Sequence, residues 1–241
     1  MRYFIELSYN GKNYHGWQMQ PDAISIQEKL NDALSIILQQ KIEVVGAGRT
    51  DTGVHASQMF AHFDVDKELN EGYVYKLNSV LPHDIAVHQL FSVADEKHAR
   101  FDAKSRSYEY KIWLGRNPFL LDFSWQIHSQ KLDVSLMNKA AKLLLEYTNF
   151  QTFSKVKTDV YTYNCDVTEA IWKQNGKELT FHILANRFLR NMVRAIVGTL
   201  VDVGLGKTSI DDFRKIIESK NRSNAGLSVP AKGLFLTHIK Y

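Results

Sequence analysis

The sequence predicts an α+β protein made of two ferredoxin-like halves that share a mainly antiparallel central sheet, with helices packed on one side. Three observations predict it. Segments with a period of two alternate with segments of helical period along the whole chain. The order of elements in the first hundred residues starts again near Arg106. No low-complexity stretch or long linker separates the two runs, so the division falls into residues 1–104 and 105–241.

In chain order, residues 2–9 alternate as a strand. Ser25-Ile-Gln-Glu28 reads as a capping box that opens a helix to about Gln39. Strands follow at about 42–47 and 57–65, a helix near 70–80 that stops before Pro82, and a strand over 85–93. In the second half, Tyr108 to Leu114 reads as a strand and Asp133 to Tyr147 as a helix. Val167–Lys173 and Leu179–Ala185 form a hairpin around Asn175-Gly176. A long helix is predicted over 186–203, a shorter one from Ser209, and a last strand from Gly233 to Tyr241.

Composition bounds the function. The chain has 241 residues, 44% hydrophobic and 23% charged, which is ordinary for a globular protein. Its single cysteine, Cys165, excludes an intrachain disulfide framework and fits a reducing cytoplasm; it reads as a small buried residue rather than a nucleophile. The opening Met-Arg-Tyr-Phe-Ile-Glu runs straight into a strand, so no secretory leader is expected. The apolar run from Met192 to Val203 is interrupted by Arg194 and Asp202 and is too short to span a bilayer. A net charge of +4 is compatible with a polyanionic partner. Arginines at 100, 106, 187, 190 and 194 lie near Phe101, Tyr108, Tyr110 and Phe188, a mixture suited to neutralising phosphates and stacking bases.

The most informative stretch is Gly46-Ala-Gly-Arg-Thr-Asp51-Thr-Gly-Val-His-Ala56, a glycine-rich connection between two apolar runs. Asp51 is displayed on a tight turn. Gly48 and Gly53 have phosphate-loop spacing, but Val54 and His55 follow where Lys and Ser or Thr are needed. A dinucleotide fingerprint would need glycine where Asp51 stands. Asp51-Thr52-Gly53 matches the triplet of aspartic proteases, which need two carboxylates, so only a homodimer would supply the pair. A simple turn cap is the remaining reading. The nine histidines show no metal-ligand spacing.

The predicted helix over 186–203 adds a second signal. Phe188, Met192, Ala195, Ile196, Thr199 and Leu200 form one face, and Arg187, Arg190 and Arg194 a stripe opposite. Arg194 lies inside the apolar run, where a guanidinium is costly without an acid or a phosphate beside it. A pairing of Arg194 with Asp51 would explain both oddities together.

Gly48-Arg-Thr-Asp-Thr-Gly-Val-His-Ala56 resembles the catalytic motif of the tRNA pseudouridine synthase A family. The resemblance continues in order along the chain. It takes in Tyr9-Asn-Gly-Lys-Asn-Tyr-His-Gly-Trp-Gln18, Ser25–Leu30, Leu81–Ala86, His98-Ala-Arg-Phe101, Arg106-Ser-Tyr-Glu-Tyr110, Asn191-Met-Val-Arg-Ala-Ile-Val-Gly198 and Gly233-Leu-Phe-Leu236. Two places depart from the family pattern: Thr52 stands where relatives often have Ala, and Lys155 to Asn164 lacks the usual arginine.

The resemblance implies the pseudouridine synthase fold and conversion of uridine to pseudouridine in the anticodon stem-loop of tRNA, at positions 38–40, with no cofactor and no metal. It implies Asp51 as nucleophile, with attack at C1′, removal of the 2′ proton and addition to C6 all open. Arg194 would orient Asp51, and Tyr108 would stack on the uracil. Arg49 would hold the backbone of the flipped nucleotide, and His98, Arg100 and Phe101 are weaker candidates for tRNA contact. A homodimer is expected by the same resemblance. The rivals are a non-catalytic RNA-binding protein of tandem ferredoxin-like halves, which lacks support from any RNP1-like segment, and the dimeric aspartic protease.

Overall fold

The structure is a computed structural model and describes residues 1–128, 131–156 and 160–241. The chain forms two compact units, Met1–Lys104 with Phe235–Tyr241, and Ser105–Leu234. The α+β class and mainly antiparallel pairing expected from the sequence are what it shows.

The first unit contains β1 (Arg2–Tyr9), α1 (Ile26–Leu38), β2 (Val45–Gly46), β3 (His55–Asp64), α2 (Gly72–Val80) and β4 (Ile85–Val93). β1 lies between β3 and β4, antiparallel to both, and β2 is antiparallel to β3. The resulting order β4-β1-β3-β2 is that of a ferredoxin-like sheet. Tyr3, Ile5, Leu7, Ala61 and Phe63 meet Leu30, Leu34 and Leu77 in its core, all essentially inaccessible.

α1 starts where the sequence places it. The Glu28 amide donates to Ser25 Oγ at 3.2 Å, and the Ser25 amide donates to Glu28 Oε2 at 3.2 Å, so two first-turn donors are satisfied. It stops at Gln39, which adopts the left-handed conformation (φ 57°). The strand expected over 42–47 is only Val45–Gly46. Ile42 and Val44 bond to side chains of α1. Ile42 N donates to Ser35 Oγ (2.9 Å) and Val44 N to Asn31 Oδ1 (2.9 Å), while Gln27 Nε2 donates to the Val44 carbonyl (2.8 Å). Positions 27, 31 and 35 fall four apart on one helix face.

The second unit contains β5 (Ser105–Leu114), β6 (Trp125–Ile127), α3 (Val134–Leu143), β7 (Val167–Asn175), β8 (Glu178–Ala185), α4 (Met192–Gly204) and α5 (Ile210–Glu218). β8 runs antiparallel between β5 and β7, and the short β6 runs parallel to β5. The β7–β8 hairpin turns at Gly176 (φ 57°), a conformation that favours glycine. α3 is capped by Asp133, whose Oδ1 accepts from Leu136 N at 2.9 Å. It ends at Leu143 rather than Tyr147, because the next residues tighten into a 3-10 turn, Leu144–Glu146. Tyr110, Ile112, Phe181, Ile183, Met137, Ala140, Ile196 and Leu200 fill the core. Cys165 is also buried, and burial pushes its thiol up to about 11, which leaves it inert at neutral pH.

β9 (Leu234–Lys240) follows. It runs parallel to β3, with His55 opposite Phe235 and Ala56 opposite Leu236. Residues 235–241, which the sequence division gives to the C-terminal half, therefore belong to the first unit. Their other bonds agree: Ile239 N donates to Gln58 Oε1 (2.9 Å) and the Tyr241 hydroxyl to the Ala99 carbonyl (2.7 Å). An alternating pattern identifies a strand but carries no record of which distant strand it joins.

Candidate active site

Asp51 sits half-exposed on the turn between β2 and β3. The turn is held by its backbone. Ala47 N donates to the Phe60 carbonyl (2.8 Å), Trp17 N to the Thr50 carbonyl (3.1 Å), Gly53 N to the Tyr14 carbonyl (3.3 Å) and Val54 N to the Asp51 carbonyl (3.1 Å). The Thr50 hydroxyl lies 2.8 Å from that of Tyr9. Gly53 has φ 76°, so this is the position where the turn requires glycine. These bonds fix the backbone on both sides of Asp51.

The segment Tyr9–Gln18 supports the turn. A Cβ on Gly11 would collide with the Val54 carbonyl, and a Cβ on Gly16 with the Thr50 carbonyl. Gly16 also has φ +92°. Tyr14 is anchored by its hydroxyl, which donates to Asp84 Oδ1 at 2.5 Å; burial first, then Asp84, raises its pKa. His55 is buried, its Nδ1 accepts from Gly11 N at 3.1 Å, and its ring stacks on Phe235 with centroids 4.7 Å apart. His55 is thereby a structural member of the motif.

His98, Arg100 and Phe101 follow β4 in the same unit. Arg100 and Phe101 are exposed, and His98 is half-buried. His98 Nδ1 accepts from the amides of Arg100 (3.1 Å) and Phe101 (3.3 Å), and His98 N donates to Asp102 Oδ2 (2.9 Å). Its ring lies 4.2 Å from Phe101 and 4.6 Å from His62 between centroids. His62 is buried and accepts from Ala99 N at 3.2 Å. Burial, with smaller contributions from Arg2 and His98, pulls its pKa down to about 4. The loop therefore presents Arg100 and Phe101 outward, while His98 shapes it from inside. Arg49 and Arg100 come together around a cavity of about 200 Å³ next to the Asp51 turn.

In the second unit, Tyr108 is on β5 opposite Ile183 and stays half-exposed, its ring edge-on to Phe188 with centroids 5.0 Å apart. Tyr110 differs. It is fully buried, its hydroxyl donates to the Pro230 carbonyl at 2.8 Å, and burial raises its pKa strongly. Of the two tyrosines only Tyr108 is accessible.

The helix expected from residue 186 begins at Met192, because Asn191 takes the left-handed conformation (φ 66°) at its N-cap. Residues 187–190 precede it as turn and coil. Arg194 thus occupies the first turn of α4 and is half-exposed. Arg194 Nε donates to the Val229 carbonyl at 2.7 Å, and Val229 N returns a bond to the Arg194 carbonyl at 3.3 Å. The positive end of a helix dipole disfavours a cation in the first turn, so helix stability does not account for Arg194. A strap over 225–229 fixes this end of α4. Gly226 N donates to Thr199 Oγ1 (2.9 Å), Asn191 Nδ2 to Ser228 Oγ (2.5 Å), and a Cβ on Gly198 would collide with the Leu227 carbonyl.

Residues 140–241 match the family model described as tRNA pseudouridine synthase. Proteins named tRNA pseudouridine synthase A are similar over the full chain. That of Bacteroides fragilis is 52% identical, covering 100% of this chain and 96% of its own. That of Parabacteroides distasonis is 48% identical with the same coverage. The chain belongs to the tRNA pseudouridine synthase A family. A more distant member, from Bacillus licheniformis, is 40% identical over 100% of this chain and 99% of its own. Membership in this family of isomerases sets aside the aspartic-protease reading of Asp51-Thr52-Gly53.

The geometry also brings in residues that sequence reasoning missed. Gly11, Tyr14 and Gly16 brace the Asp51 turn, Val229 bonds Arg194, and Thr199 and Gly226 tie the strap that carries Val229 to α4. The two glycines in Tyr9–Gln18 were the available signal. The divergent segment Lys155 to Asn164 lies partly outside the described residues, at 157–159. Among the described residues no group of three or more His, Cys, Asp or Glu is placed to hold a metal ion, and no helix is long and apolar enough to cross a membrane.

Proposed function

We propose that the protein isomerises uridine to pseudouridine in the anticodon stem-loop of tRNA, at positions 38–40, with Asp51 as the nucleophile. The observation that carries this reading is similarity over the entire chain to proteins named tRNA pseudouridine synthase A. Asp51 within Gly48–Ala56, on a turn fixed by backbone bonds, supports its role. The reaction breaks the bond from N1 to C1′ and forms one from C5 to C1′. The C5 proton leaves, N1 ends protonated, and no electrons are gained or lost. The target base must leave its stack to be reached.

In this reading Asp51 makes and releases the bond that detaches the uracil. Arg194 supplies positive charge against the charge that develops, and Tyr108 offers an accessible ring for stacking. Tyr110, with its buried and bonded hydroxyl, supports Tyr108 as the tyrosine that acts. Arg49, Arg100 and Phe101 contact the RNA, with His98 behind them. The enzyme works in the cytoplasm as a homodimer, as the family resemblance implies.

The test uses tRNA tritiated at uridine C5. Wild type should release tritium, and Asp51→Asn should bind the same tRNA without release. Release by Asp51→Asn at the wild-type rate would remove Asp51 from the chemistry, and no release by wild type would remove the activity.

A further inference from the structure

The cavity beside the Asp51 turn is lined by Trp17, Gln18, Gln27, Gly48, Arg49 and Arg100, among others, and none of its lining residues is acidic. The Gln27 amide is oriented by backbone groups, and it orients that of Gln18 in turn. Met19 N donates to Gln27 Oε1 at 2.9 Å, and Gln27 Nε2 donates to the Val44 carbonyl at 2.8 Å. An amide N–H can only donate and a carbonyl only accept, so the Gln27 amide has one possible orientation. Gln18 meets Gln27 Oε1 at 2.6 Å, and it must do so through Nε2. Gln18 Oε1 is then turned away from Gln27 as a held acceptor. The site offers this acceptor together with two guanidinium groups, Arg49 and Arg100. A group carrying both an N–H donor and a negative charge fits it, and a nucleotide carries both.

We propose that this cavity binds the nucleotide next to the target uridine, with its phosphate against Arg49 and Arg100 and a base N–H on Gln18 Oε1. The inference rests on the proposed reaction on RNA and adds to it a second subsite. Because every base has an N–H donor, the site tolerates different bases while requiring that a base be present. It would hold the strand beside the flipped uridine and act through binding rather than chemistry.

The experiment uses an anticodon-arm RNA with a single abasic nucleotide placed in turn at each position flanking the target. Gln18→Met removes the acceptor at nearly constant size. It should raise KM about twofold to tenfold, the worth of one hydrogen bond, and leave kcat unchanged, as expected for loss of uniform binding. At one flanking position the abasic RNA should raise the wild-type KM by the same factor and leave that of Gln18→Met unchanged. A second cycle pairs Arg100→Met with a methylphosphonate at that nucleotide, and should be equally non-additive. If wild type forms pseudouridine but both cycles are additive at every flanking position, the cavity is not the subsite and the activity stands. If wild type forms none on intact RNA, both readings fall together.

Discussion

Gly16 lies so close to the carbonyl oxygen of Thr50 that no Cβ fits between them. The residue before Asp51 is thus fixed by contact with a segment distant in sequence, and the Trp17 amide bonds the same carbonyl at 3.1 Å. Gly16 also has φ +92°, which strains any residue with a side chain. Gly16→Ala should lower stability by about 1–3 kcal/mol and shift the turn that carries Asp51. A Cβ on Gly48, in the same turn, would meet nothing within contact distance. Gly48→Ala is the control, and should keep both its thermal midpoint and its kcat near wild type. Equal losses for the two variants would mean that the close approach of Gly16 does not set the turn.

His98 should act as a positioning residue through its Nδ1, which accepts from the amides of Arg100 and Phe101. Asn places an amide oxygen near the position of Nδ1, whereas Gln places its oxygen nearer Nε2. His98→Asn should keep KM for tRNA close to wild type. His98→Gln should raise KM several-fold with kcat nearly unchanged. If the imidazole itself touches RNA, the two variants should fail alike.

The salt dependence of tRNA binding should be steep, because cations that contact phosphates release counterions. Arg49→Ala and Arg100→Ala should each reduce the slope of log K against log salt by about 0.7–0.9, the change expected for one lost phosphate contact. Filter binding across a salt series measures it. A variant that weakens binding equally at every salt concentration would have lost something other than a phosphate contact.

His62 makes a pH prediction. Burial holds it near pKa 4 in the folded state, against about 6.5 in an unfolded chain. Between these values the unfolded state binds more protons, so stability rises with pH across that window and is lost as pH falls from about 6.5 to 4. His62→Asn keeps an acceptor for Ala99 N and does not titrate. Urea midpoints for this variant should fall less between pH 7 and pH 4.5 than those of wild type. Parallel slopes for the two proteins would show that another group carries the effect.

Much of this was legible in the sequence where local chemistry decides structure. The Ser25–Glu28 capping box, the Asp133 and Ser209 caps and the Gly176 hairpin form as the residues dictate. The turn at Asp51 was legible too, since glycine and an acid between apolar runs leave few options. What distant residues decide was not. The apolar run from Phe188 looked helical from its periodicity, yet Asn191 in a left-handed conformation delays α4 to Met192 and moves Arg194 into its first turn. Tyr108 and Tyr110 share one strand face by spacing, but Pro230 claims the hydroxyl of only the second. The pairing of β9 with β3 depends on a partner almost two hundred residues away.

An exposed strand edge is a row of open amides and carbonyls on which a second polypeptide can add. Just before β2, Gln27, Asn31 and Ser35 of the preceding helix already occupy the amides of Ile42 and Val44 and the Val44 carbonyl. Those two amides and that carbonyl are therefore closed to strand addition by a second polypeptide.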